Sequence, residues 1–194
     1  VNLYDKRLVQ NTSVEHDLNF GVWNKLLKMD QNAFVLQYSG ISSDGYLQTF
    51  TTSSDGNTIT QVLEKEWGTK NDVYYPSFIQ MSEDTYLIAY YGYNSGTKHD
   101  GNSVSNTWGQ WLSVFQIKSD GSVINELGNF LHDTYTNSDP YNDLIKIDDD
   151  TYALAYRSYN YGPQTSGSWG GWIKTFKVNG GNINQVNELQ HYTS

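Results

Sequence analysis

The chain is 194 residues long with a net charge of −9, sixteen Tyr, seven Phe, six Trp and no Cys. That length allows one sizeable core or several small units sharing one. The scattered Lys and Arg make no basic stripe for nucleic acid, no apolar run approaches the roughly 20 residues of a membrane span, and the absence of Cys removes disulfides and thiolate chemistry.

In chain order, residues 1–17 end in E-H-D, which matches L-H-D at 131–133, the end of a later strand. They are expected to add one strand of that kind. Asn11-Thr12-Ser13 has the form of a glycosylation sequon, a match close to chance in a chain so rich in Asn. Low Lys and an acidic balance point to an extracellular or cell-surface protein, and a first residue of Val fits a processed or excised chain.

From residue 18 the text repeats, in units 18–67, 68–133 and 134–194. Anchored on Met29, Met81 and Ile147, each unit opens with an apolar stretch: L-L-K-M, F-I-Q-M, L-I-K-I. A polar turn leads to a second stretch ending at Tyr38, Tyr90 or Tyr156. After a gap of variable length comes Y-L-Q-T-F (46–50), W-L-S-V-F (111–115) or W-I-K-T-F (172–176). Asp55-Gly56, Asp120-Gly121 or Gly180-Gly181 then leads into a fourth stretch. Short runs of β-branched and aromatic residues split by Asp-Gly-type turns predict an all-β fold of three four-stranded antiparallel meanders.

The second strand of the third unit is apolar on both faces, with Tyr152, Leu154 and Tyr156 on one and Ala153 and Ala155 on the other. A sheet buried on both faces by neighbouring sheets needs such a pattern, which predicts β-propeller-like blades. Closed propellers have about four to eight blades, so three units imply a six-bladed ring closed by a homodimer or a piece of a longer chain. The alternative architecture is a β-trefoil, also three copies of four strands.

The pattern L-I-x-I-D-x-D-T-Y-A-L-A-Y, a gap, W-I-x-T-F and a turn resembles the Tyr- and Asp-rich tandem repeats of predicted extracellular β-propeller proteins of archaea and marine bacteria. The resemblance covers roughly three quarters of the chain and is closest from Leu144 to Phe176; the first unit departs from it at Ala33, Phe34 and Gln37. It implies a secreted or surface binding or adhesion protein and carries no catalytic residues.

Features common to the units are expected to serve folding. His16, His132 and His191 stand at one repeat position and are expected to pack against the next unit rather than gather round a metal. Asp148-Asp149-Asp150 reads as a solvated turn, because it lacks the alternating spacing of a calcium loop. No metal, cofactor or catalytic set is expected.

The inserts between second and third strands differ. The first unit has only 39–45 there, against 91–110 and 157–171 in the others. Long connections tend to be functional. Both inserts carry Tyr-Asn early and end in Trp-Gly-x-Trp; Trp111 and Trp172 align with Tyr46 and are expected in the core. The remaining residues are the candidate ligand-binding set: Trp108, Trp169, Tyr93, Asn94, Tyr159, Asn160, Tyr161, His99 and Asp100. In a meander these inserts leave from the same edge as the connections between units, which hold Trp23, Tyr74, Tyr75, Tyr135 and Tyr141. An aromatic face with Asn and Asp beside it suits sugar rings, whose C–H patches stack on aromatics. The expected function is a non-catalytic carbohydrate-binding or adhesion module whose partner is a glycan or surface glycoprotein. A structural surface or filament subunit is the second reading. A glycoside hydrolase is the third, and would need a second carboxylate about 5–10 Å from Asp100, with Asp72, Asp139 and Asp143 available to converge.

Overall fold

A computed structural model describes residues 10–67, 73–98, 100–134, 141–160 and 168–193. The described residues are all-β, in three four-stranded antiparallel sheets, none closed into a barrel. Separate sheets of this kind replace the β-trefoil alternative, which would close its hairpins together.

The first sheet holds β1 (Val22–Asp30), β2 (Ala33–Ser39), β3 (Gly45–Thr52) and β4 (Ile59–Trp67) in chain order. The second holds β5 (Val73–Gln80), β6 (Thr85–Lys98), β7 (Ser103–Ile117) and β8 (Ile124–Asp133). The third holds β9 (Asn142–Lys146), β10 (Thr151–Asn160), β11 (Ser168–Asn179) and β12 (Asn182–Thr193). Asp-Gly turns reverse the chain between β3 and β4 and between β7 and β8, where Gly56 and Gly121 take φ of 70° and 76°. Asp55 and Asp120 brace these turns by accepting from Asn57 N and Ser122 N. A register shift recurs at Thr49/Phe50, Val114/Phe115 and Thr175/Phe176, so each sheet carries a bulge at the same repeat position.

The second sheet is buried between the other two. Its Tyr86, Ile88, Tyr90, Trp111 and Phe115 form one core with Val35 and Leu47 of the first sheet. On its opposite face Leu87, Ala89, Leu112, Val114 and Phe130 form another with Leu144, Leu154, Trp172 and Phe176 of the third. Trp111 is fully buried and Trp172 is 3% exposed, as their alignment with Tyr46 predicts. Ala153 and Ala155 depart from the expectation, since this face of the third sheet has no sheet against it and Ala155 is exposed.

A ring at the end of the fourth strand in each of the first two sheets packs edge-on against the next sheet's Tyr. Trp67 meets Tyr90 at 5.0 Å and 85°, and His132 meets Tyr156 at 4.9 Å and 84°. His16 meets Tyr38 in the same way, at 4.9 Å and 80°. His16 and His132 thus pack between units, whereas His191 departs from the expectation: with no sheet following it, it is exposed and lies over Gly171 of its own sheet. Among the described residues 10–21, however, no strand forms, so the segment supplies the ring without the ladder; residues 1–9 lie outside the described part.

Candidate functional site

The insert at 91–110 is a β-ribbon, not the Gly-rich loop expected. β6 and β7 continue their pairing through Tyr93↔Trp108 and Asn94↔Thr107 to Thr97↔Ser103. Alternating Tyr91, Tyr93, Val104 and Trp108 suit a strand, and Asp100-Gly101 supplies the reversal, with Gly101 at φ 77°. At its tip the ribbon folds back over the edge of β8, where Thr97 and Lys98 pair in parallel with Phe130 and Leu131. Gly96 makes that approach possible, because a Cβ there would lie 2.4 Å from the Asn129 carbonyl oxygen.

The ribbon divides the candidate residues. Tyr91, Tyr93 and Trp108 share one side, and Trp108 is half-buried against both tyrosines at 5.5 and 5.7 Å. Asn94 points the other way and is only 6% exposed. Its Nδ2 donates to the buried Tyr90 hydroxyl at 2.5 Å. Asn94 therefore belongs to the core of the second sheet and not to an open face. Asp100 sits in the tip turn, accepting from Asn102 N at 3.0 Å and Asn102 Nδ2 at 2.9 Å. It lines a separate cavity of about 390 Å³ between the second and third sheets, together with His132, Asp133, Lys174 and Glu188. His99 lies outside the described residues.

The third unit repeats the ribbon's register. Tyr159 pairs with Trp169 as Tyr93 pairs with Trp108, and Asn160 pairs with Ser168. The side chains of Tyr159, Asn160 and Trp169 lie outside the described part, as does Tyr161 altogether.

The connections between units complete a larger aromatic surface. Tyr91 stacks on Tyr74 at 6.1 Å, Tyr74 meets Trp23 at 5.0 Å, Trp23 meets Tyr75 at 5.3 Å and Tyr75 meets Tyr141 at 5.1 Å. With Trp108 and Tyr93 these rings form one unbroken run, drawn from all three repeat units. Tyr141, at the end, is 65% exposed. Of the other connection residues named from the sequence, Tyr135, Asp72 and Asp139 lie outside the described residues.

Trp23, Tyr75 and Tyr141 stand at one repeat position, six residues before the anchors Met29, Met81 and Ile147. They line a cavity of about 260 Å³ with Asn24, Lys25 and Asn142, where the first strands of the three sheets converge. Asn142 Nδ2 donates to the Tyr75 carbonyl at 3.3 Å, and Asn24 Nδ2 to the Gly21 carbonyl at 3.0 Å, which fixes both amides at the rim.

The backbone here is strained. Trp23 and Tyr75 hold φ of 54° and 49°, in the left-handed region that bulky residues avoid. Each sits in a register shift of its strand, between Val22 and Lys25 and between Tyr74 and Ser77. Bulges re-aim side chains, and the strain they store collects at functional sites. Sequence reading placed these aromatics on the right edge but did not single out the trio; their common offset from the anchors was the available signal.

Elsewhere the histidine and acidic features prove structural. His132 is buried against Tyr156 and Phe176, and burial holds its imidazole well below the usual range. Lys174, 3% exposed, bonds the His132 carbonyl at 2.6 Å and Glu188 at 2.9 Å. Asp148 accepts from Thr151 N at 2.8 Å, and Asp150 pairs with Lys177 at 2.9 Å, an exposed turn. Among the described residues no group of three or more His, Cys, Asp or Glu is placed to hold a metal. The chain matches no protein-family model, no curated protein and no solved structure.

Proposed function

We propose that the chain is a non-catalytic carbohydrate-binding or adhesion module of the cell exterior, built from propeller-type blades, that holds sugar rings on its aromatic edge. The observation that carries this reading is the unbroken run of seven rings from Tyr141 to Tyr93, contributed by all three repeat units. Core packing has no need to leave a run of rings half-buried along one edge, still less to bend the backbone at Trp23 and Tyr75 to do it. A cavity of about 260 Å³ lined by rings and amides suits one sugar ring more than a drug-sized ligand, whose pockets begin near ~300 Å³.

The hydrolase reading would have to use the cavity that Asp100 lines with Asp133 and Glu188, apart from the cavity of the aromatic run, and there Asp100 accepts from Asn102 of its own turn. One observation favours a structural surface subunit as a second reading: the third sheet leaves an apolar face open.

Affinity electrophoresis through gels cast with a panel of polysaccharides tests the first reading. Retardation of the wild-type chain, abolished by Trp108→Ala in a protein that still unfolds cooperatively, supports it. Equal migration of both chains in every gel, with ordered polymers seen by light scattering, transfers the aromatic edge to the subunit reading.

A further inference from the structure

Each sheet has a leading face, bearing Tyr38, Tyr90 or Tyr156, and a trailing face turned towards the next unit. The trailing faces of the first two sheets are closed: Val35 and Leu47 are 0% exposed in the first, and Leu87 and Leu112 are 0% in the second. The third presents the same chemistry to solvent. Ile145 is 58% exposed, Ile147 54%, Ile173 38% and Leu189 62%, although Ile173 stands at the repeat position of Leu47 and Leu112. His191, at the position of Trp67 and His132, is also exposed and lies over Gly171 of its own sheet.

The opposite end of the stack is open in a complementary way. On the leading face of the first sheet Leu26 is 61% exposed, whereas its repeat equivalents Phe78 and Leu144 are 5% and 3%. Residues 10–20 lie over part of this face, with His16 on Tyr38 where a preceding unit's ring would stand. They are held loosely there: Val14 is 44% exposed, Leu18 83% and Phe20 50%.

We infer that the trailing face of the third sheet docks the leading face of the first sheet in a second copy of the chain, head to tail. The contact repeats the one already made twice within each chain, so its geometry is set. Ile145 takes the place of Ile79, which packs against the cluster that holds Leu144, and the second copy's Leu26 takes the place of Leu144. His191 replaces His16 on the second copy's Tyr38, displacing the loosely held segment. Two such contacts made reciprocally close six sheets into one ring. Tyr141 then gains the second copy's Trp23, as Tyr75 meets Trp23 and Tyr141 within the chain.

Because the chain has no cysteine, engineered disulfides report the contact cleanly. Chains carrying Ile145→Cys and Leu26→Cys are mixed and oxidised, alongside sedimentation of the unmodified chain over a hundredfold concentration range. The inference expects a dimer or larger species, a mixed disulfide as the main cross-linked product, and monomers on Ile173→Asp that still unfold in one cooperative transition, whose midpoint no longer rises with concentration. Ile145→Cys chains cross-linking only to themselves would mean face-to-face pairing and overturn it. A monomer at every concentration, with no mixed disulfide, overturns it equally.

Discussion

Replacing Trp23 by glycine separates a ring kept for packing from a ring held for a ligand. At φ 54° an L-residue carries roughly 1–2 kcal/mol of strain, which glycine releases. Against that stand two ring contacts, to Tyr74 at 5.0 Å and Tyr75 at 5.3 Å, each about 0.5–1.5 kcal/mol, and the burial of a half-exposed indole. The losses outweigh the released strain only in part, so Trp23→Gly should cost about 0–3 kcal/mol, while Trp111→Ala in the closed core should cost about 3–5 kcal/mol. Trp23→Ala removes the same ring but keeps the strain, and should be about 1 kcal/mol less stable than the glycine variant. Urea unfolding of the three variants reads all these differences. Two results would refute the reasoning: Trp23→Gly as costly as Trp111→Ala, which makes the ring core packing, or alanine no worse than glycine, which removes the strain.

Three further outcomes follow from the packing. His132 is buried with its imidazole held well below the usual range by desolvation and then by Lys174, so the unfolded chain takes up its proton first. Stability should be unaffected above pH 6.5 and fall below it with a slope approaching about 1.4 kcal/mol per pH unit; in His132→Phe that slope should vanish from unfolding curves between pH 6.5 and 5. At alkaline pH the sign reverses: burial and then Asp84 push the Tyr86 hydroxyl up to about 12, so unfolding releases its proton from about pH 10 upward. Stability should therefore decline between pH 10 and 12, less steeply in Tyr86→Phe. Gly128→Ala would set a methyl 2.2 Å from the Gly181 carbonyl oxygen, where the second and third sheets meet backbone to backbone. It should cost about 1–3 kcal/mol, seen as a lowered urea midpoint.

The repeat made most of the fold legible. Met29, Met81 and Ile147 fixed the register of all three units, and the burial of Trp111 and Trp172 followed from their alignment with Tyr46. Three things stayed hidden. Asp100-Gly101 reads as a ligand-bearing loop when only the insert's length is considered, although the same dipeptide between Tyr91 and Tyr93 on one side and Val104 and Trp108 on the other signals a hairpin. Asn94 looks like a sugar-binding amide in isolation; only the pairing of β6 with β7 shows it turned inward to the Tyr90 hydroxyl. The aromatic edge itself was foreseeable from up-and-down topology, but the bulges that turn Trp23 and Tyr75 into the cavity were not. They depend on φ at single residues, and neither a Trp nor a Tyr advertises a positive value.

Binding of the fluorescently labelled chain to a broad glycan array tests the central claim most directly. The account predicts saturable binding to a restricted set of glycans, with Trp108→Ala and Trp23→Gly losing at least tenfold in affinity while remaining folded. A wild-type chain that binds no glycan, or variants that bind as well as wild type, contradicts it.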